Sequence, residues 1–208
     1  ADRYEDAGLS DAIRNGAKNF LTALQTQRIL HFALWASNVY HNTLGRFDQY
    51  MWPYLKADLD AGVLTEESAL ELLEEFFLSF NRDSTLYTGM QQGDNGQSMV
   101  LGGCNAAGED CFNILSAMCL RASKKLLMID PKINLRVDSR TPLALYERGT
   151  KLTKQGLGFP QYCNDDIIVP YMMSLGYDED DESVFIPNEE IRREFRTAIR
   201  TGTRPQLA

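Results

Sequence analysis

The second half of the chain alternates short apolar runs with amphipathic stretches, and that order restricts the fold more than any other feature. Met99-Val100-Leu101 closes a glycine-rich stretch, Ile133-Asn134-Leu135-Arg136-Val137 alternates with a period of two, and Gly158-Phe159-Pro160-Gln161 is a third short extended segment. Helical patterns over 109–127 and 142–153 separate them, and another runs from Asp165 to Leu175 despite Pro170. Pro142 stands at the first turn of its helix, where a missing N–H costs nothing. Strand, helix, strand, helix builds βα units, because a strand lying parallel to its predecessor needs a crossover. The expected class is α/β, rich in helix, with a short and mainly parallel sheet over 99–101, 133–137 and 158–161.

The first third reads as helix over 17–40, 47–61 and 65–82. Phe20, Leu21, Leu24, Ile29 and Phe32 recur at roughly helical spacing in the first of these. Gly62 closes the second, and Thr65 caps the third with Glu66 and Glu67 in its first turn, where the helix dipole favours anions. Leu70, Leu73, Phe76, Phe77 and Phe80 form one stripe, which is expected in the core. The stretch 88–103 holds Gly89, Gly93, Gly96, Gly102 and Gly103 and lacks the Gly-Lys-Ser/Thr ending of a phosphate loop. The acidic run Asp178-Glu179-Asp180-Asp181-Glu182 reads as a solvated linker, and a short amphipathic helix is expected over 187–200. The domain reading is one unit over 1–181 and an unrelated helical tail over 182–208.

Several functions are disfavoured. Twenty-nine acids against 21 bases give a net charge of −8, the wrong sign for a phosphate-binding surface, so nucleic acid is not expected as a partner. No apolar run reaches the roughly 20 residues of a membrane span. The first six residues, Ala-Asp-Arg-Tyr-Glu-Asp, do not read as a signal peptide. Cys104, Cys111, Cys119 and Cys163 form no C-x-x-C pair, and His31 and His41 are the two histidines, so no metal site is expected. Those thiols read as reduced, in a cytoplasm.

Four motifs carry a family resemblance. Gly45-Arg46-Phe47-Asp48-Gln49 followed by Tyr54 resembles the G-R-x-D-Q segment of glycyl-radical enzymes, the relatives of pyruvate formate-lyase. Val100-Leu101-Gly102-Gly103 with Gly108, Asp110, Asn113 and Ser116 is similar to their next block. Pro131-Lys132-Ile133-Asn134-Leu135-Arg136 and Gly158-Phe159-Pro160-Gln161-Tyr162-Cys163-Asn164-Asp165-Asp166 complete the family order, within about residues 20–181. The resemblance implies a barrel of ten strands in two half-barrels, of which this chain supplies a partial one. It implies a glycyl radical on a C-terminal loop, installed by an iron–sulfur activase that uses S-adenosylmethionine. It also implies a thiyl radical on a central cysteine loop that takes a hydrogen atom from a small-molecule substrate. The sequence departs from the pattern after about Asp181: no cysteine follows Cys163, and no R-V-x-G-Y-type glycyl loop occurs.

The expectation is therefore a fragment of a radical lyase, transferase or dehydratase of anaerobic metabolism, inert alone, with no cofactor bound. Its expected partners are the activase or a complementary chain. Alternatives are a binding or regulatory protein that reuses the half-barrel, and a helical interaction module. Cys163 lies in the right neighbourhood for a replacement thiol but at a non-catalytic position of the motif. Arg136, Gln161, Asn164 and Asp165 are the substrate-pocket candidates, and Gly45, Arg46, Asp48 and Gln49 form the framework motif. Arg136 suits either a substrate carboxylate or a buried acid. Asn164 and Asp165 suit either a helix cap or the pocket. Arg46 and Asp48 read as a structural pair.

Overall fold

The structure is a computed structural model, and it describes residues 12, 15–37, 42–80, 97–105 and 108–174. The acidic run at 178–182, the tail helix at 187–200, the boundary at 181 and His41 lie outside the described residues. The elements are α1 (Phe20–Ala36), α2 (Phe47–Tyr50), α3 (Trp52–Asp60), α4 (Glu66–Phe80), β1 (Ser98–Gly102), α5 (Ile114–Leu126), β2 (Lys132–Val137), α6 (Leu143–Thr153), β3 (Gln161–Asn164) and α7 (Asp165–Ser174).

Three helices start at reciprocal caps, each with a serine or threonine at the third helical position. Asn19 caps α1 with Thr22, Thr65 caps α4 with Ser68, and Asn113 caps α5 with Ser116. Each pair satisfies two of the N–H groups that a helix start leaves open. The Phe20 N–H goes instead to Asp58 Oδ2 at 2.8 Å, which ties the start of α1 to α3. Gly62, at φ +69°, closes α3, and the Val63 N–H returns to the Asp58 carbonyl at 2.9 Å.

The sheet has the order β1-β2-β3, and both pairs are parallel. Thr43 to Gly45 adds a stub beside β1: the Leu44 N–H reaches the Ser98 carbonyl at 2.7 Å, and the Val100 N–H reaches the Gly45 carbonyl at 2.8 Å. The register aligns Gly102 with Arg136 and Arg136 with Cys163. Because side chains alternate across a sheet, the two faces differ in chemistry. Met99, Leu101, Ile133, Leu135 and Val137 point one way and join the helices in a single hydrophobic cluster. Phe47, Phe76, Phe77 and Phe80 of the helices belong to it, with Phe47 stacked on Phe76 at 5.4 Å. The other face carries Val100, Asn134, Arg136, Gln161 and Cys163.

Four expectations are corrected. The helix expected from 109 begins at Ile114, because Asn113 caps there and residues 109–111 instead lie antiparallel to 103–105. The strand expected over 158–161 sits at Gln161–Asn164, since Gly158 has φ +79° and Pro160 offers no N–H to a ladder. The helix expected over 47–61 divides at Met51, next to Pro53 in the first turn of α3. In α1 the buried positions are Phe20, Thr22, Ala23, Leu24, His31 and Trp35, whereas Ile29 and Phe32 are exposed.

Candidate functional site

The four motif segments meet at the C-terminal ends of the strands, the end at which open parallel sheets bind ligands. The polar side chains of Arg46, Asp48 and Gln49 all reach the backbone or capping residues of the segment 102–116. Arg46 Nη2 donates to the carbonyls of Gly102 (3.4 Å) and Cys104 (3.2 Å). Asp48 Oδ2 accepts the Gly102 N–H at 2.7 Å and the Ser116 hydroxyl. Gln49 Nε2 donates to the Cys111 carbonyl at 2.8 Å, and Asn113 Nδ2 returns a bond to the Asp48 carbonyl at 2.9 Å. Arg46 and Asp48 thus hold the Gly102 residue from both sides, one at its carbonyl and one at its N–H.

Asp48 is fully buried, and its Oδ1 has no hydrogen-bond partner. Burial pushes its carboxyl above the usual range, against the bonds from Ser116 and Gly102 that favour the charge. Gly102 and Gly103 have φ of +71° and +79°, so the chain turns left-handed twice in succession. A Cβ on Gly103 would lie 2.9 Å from Arg136 Nε, so this glycine lets the arginine pass.

Arg136 links the third motif to the fourth. Its Nε lies 3.0 Å from both oxygens of Asp165, and its Nη2 lies 2.9 Å from Oδ2. Both residues are buried, at 2% and 6% exposure. Of the two partners open to this arginine, the structure gives it the acid. Burial pushes the Asp165 carboxyl up, and the Arg136 fork pulls it back. Asn164 Oδ1 accepts the Asp166 N–H at 3.0 Å at the start of α7, and Asp166 Oδ2 accepts the Ser139 N–H at 2.6 Å. Gln161 is exposed at the start of β3, one strand away from Asn134 in register. Cys163 is in no disulfide and is 8% exposed, in register with Arg136.

A cleft of about 200 Å³ opens beside this hub, lined by Gly103, Gly108, Asp110, Arg136, Asp138 and Arg140 among others. Arg140 spans it, with Nη2 2.6 Å from Asp138 Oδ2 and Nη1 2.8 Å from the Gly108 carbonyl. That bond holds the Asp138 carboxyl below its usual range. Sequence reasoning missed the residues Asp138 and Arg140, which sit in a turn with no periodic signal. It also missed the polar-face role of Asn134, which the alternation with Arg136 does signal. Among the described residues, no group of three or more His, Cys, Asp or Glu could hold a metal ion. No helix among them is long and apolar enough to cross a membrane.

A family model described as pyruvate formate lyase-like matches residues 9–186. Isethionate sulfite-lyase of Oleidesulfovibrio alaskensis is 32% identical over 172 residues, which are 78% of this chain and 20% of the relative. The (2S)-3-sulfopropanediol dehydratase of Klebsiella oxytoca is 30% identical over 146 residues, 67% of this chain and 18% of the relative. Among solved structures, one of 1,2-propanediol dehydration in Roseburia inulinivorans superposes with a TM-score of 0.72 at 29% identity, covering 82% of this chain and 22% of that one. The glycerol-bound B12-independent glycerol dehydratase of Clostridium butyricum gives 0.70 at 30% identity, covering 81% and 22%. The chain therefore spans about a fifth of the length of these relatives. Matched by the family model over most of its length, and folded as a partial barrel of the same kind, the chain belongs to the pyruvate formate lyase-like family of glycyl-radical enzymes.

Proposed function

We propose that these 208 residues supply the motif-bearing framework of a glycyl-radical lyase or dehydratase and do not perform the radical chemistry themselves. The observation that carries this reading is the hub: Asp165 fills the fork of Arg136, and Asp48 Oδ2 is taken by the Gly102 N–H and the Ser116 hydroxyl. A pocket built to seize a substrate anion would keep a donor fork open to it. The hydrogen-abstracting thiol and the radical-bearing glycine fit no position here. Cys163 is buried, and no cysteine follows it in the sequence. No step of the reaction is therefore assigned to this chain. In the whole protein, the framework would set the strand ends around a small polar substrate of the kind the relatives' names describe. Four cysteines outside any disulfide suit a reducing cytoplasm.

The test is anaerobic incubation of the purified chain with an activase, S-adenosylmethionine and a reductant, read by electron paramagnetic resonance. The expected result is no backbone-glycine doublet, and a stable doublet would overturn the proposal. A binding or regulatory role for the same half-barrel is favoured by one observation, the exposed apolar face of α1.

A further inference from the structure

Over its last two turns α1 is inside out. His31 is 1% exposed, whereas Ile29, Leu30, Phe32 and Leu34 are all exposed. Packing fixes this phase: His31 Nε2 lies 3.1 Å from the Asn42 carbonyl, and its ring meets Phe80 edge-on at 5.1 Å. A groove of about 670 Å³ runs between α1 and α4, lined by Leu21, Leu24, Ile29, Leu72, Phe76 and Leu78 among others. Its α4 wall is acidic. Glu75 lines the groove, and Glu71, one turn earlier on the same helix, is exposed. Arg28 stands on the α1 side. The groove therefore asks for an occupant that is apolar along its middle and basic along one edge.

The sequence beyond α7 has that pattern. Ile191, Phe195, Ala198 and Ile199 recur at i, i+4, i+7 and i+8 within the helix expected over 187–200. With about 3.6 residues per turn, Arg192 and Arg196 border this apolar stripe on one side and Glu194 on the other. Arg192 and Arg196 stand four residues apart, as Glu71 and Glu75 do on α4, so the two pairs match in spacing and oppose in sign. The expected helix would be about 21 Å long, against about 22 Å for α4. The stretch 175–186 can extend to about 40 Å. A body of this length has a radius of gyration of about 15 Å, so the tail can reach either side of it. The family match ends at residue 186, so the expected helix lies beyond it. We propose that the helix over 187–200 docks in the α1–α4 groove of its own chain. Ile191, Phe195 and Ile199 lie against the apolar walls, and Arg192 and Arg196 lie over Glu71 and Glu75. An apolar groove takes an amphipathic helix through anchors at this spacing, and the tether keeps the helix at high effective concentration. The docked tail covers an apolar face that would otherwise invite contact with other proteins. The docking goes beyond the framework reading and stands or falls without it.

Hydrogen exchange of the full chain, read peptide by peptide, tests this. An isolated helix of about fourteen residues is marginal in water, so slowed exchange over 187–200 reports a docked one. Slowed exchange is the expected result. Phe195→Glu with Ile199→Glu is expected to speed it about tenfold or more, because burying even one large apolar side chain is worth that factor in the opening equilibrium. The same change is expected to raise the fluorescence of an apolar-surface dye. Changes on the groove separate its occupation from helix formation. Leu78→Glu, at a position 47% exposed, is expected to release the tail while exchange in β2 stays as slow as before. Glu71→Arg with Glu75→Arg is expected to release it too, and adding Arg192→Glu with Arg196→Glu to restore it. A wild-type tail that exchanges as fast as the Phe195→Glu, Ile199→Glu variant would overturn the proposal. So would a protected tail that neither groove variant releases, since its seat would then lie elsewhere. Protection that vanishes on dilution, with a dimer in sedimentation, would also overturn it by placing the tail on a second copy.

Discussion

Arg136 and Asp165 show how a residue of open meaning acquires one role. From sequence, Arg136 on an alternating strand suited a substrate or a buried acid, because either matches its planar fork. Nothing in the local sequence signals that Asp165, twenty-nine positions away, lies beside it; the β2–β3 register brings them together. A buried pair of this kind is sensitive to the loss of one partner, because the other charge is then left alone. Arg136→Met is expected to destabilise the fold by about 3–5 kcal/mol, and the double variant Arg136→Met with Asp165→Leu by clearly less. Urea unfolding of the two single variants and the double completes the cycle. Additive effects would mean that the two side chains do not act as a pair. The framework residues were more legible, because Arg46, Asp48 and Gln49 are polar groups crowded onto a short helical segment, and such groups need partners when buried. Their partners, backbone groups and the Ser116 hydroxyl, lie more than fifty positions away, which no local pattern encodes.

At the level of elements, the order and type of the helices and strands follow from periodicity, while several boundaries follow from single capping residues. Asn113 ends one expectation and begins a helix, and it does more than the other caps. Its side-chain oxygen accepts the Ser116 N–H at 3.1 Å, while its amide holds the Asp48 carbonyl. Asn113→Ala is expected to cost about 2 kcal/mol, the sum of a cap and a tertiary hydrogen bond, against about 1 kcal/mol for Asn19→Ala. Chemical denaturation of the two variants compares them directly; equal losses would remove the tertiary part of the claim. The parallel sheet was legible because alternating β and α patterns leave few other topologies. The Thr43–Gly45 stub was not, since three residues are too few to show a period of two. The inverted half of α1 was misread for a different reason. An all-round apolar stretch has no phase of its own, and Asn42 and Phe80 decide which side is inside.

For the whole molecule, the acid groups set opposing responses to pH. Asp138 is held below its ordinary value by the Arg140 hydrogen bond, so the fold favours its charge. Its contribution is full above the ordinary carboxylate range and is lost as pH falls through the depressed value. Asp48 is raised by burial, so the fold favours its proton. Its contribution is present at low pH and is lost as pH rises through the raised value. Asp138→Asn is expected to flatten the acid limb of the stability profile, and Asp48→Asn the limb above the ordinary carboxylate range. Urea midpoints across pH check both; an Asp48→Asn profile parallel to the wild type would show that this acid does not titrate with folding. Gly102, gripped at its carbonyl by Arg46 and at its N–H by Asp48, also bears on how such a barrel recombines. A crossover point anywhere between residues 49 and 102 would hand the grip and the gripped turn to different parents. Segment exchange with a relative should therefore succeed at breakpoints upstream of Gly45 or downstream of Ser116, and stretches inside that interval are inherited as one block.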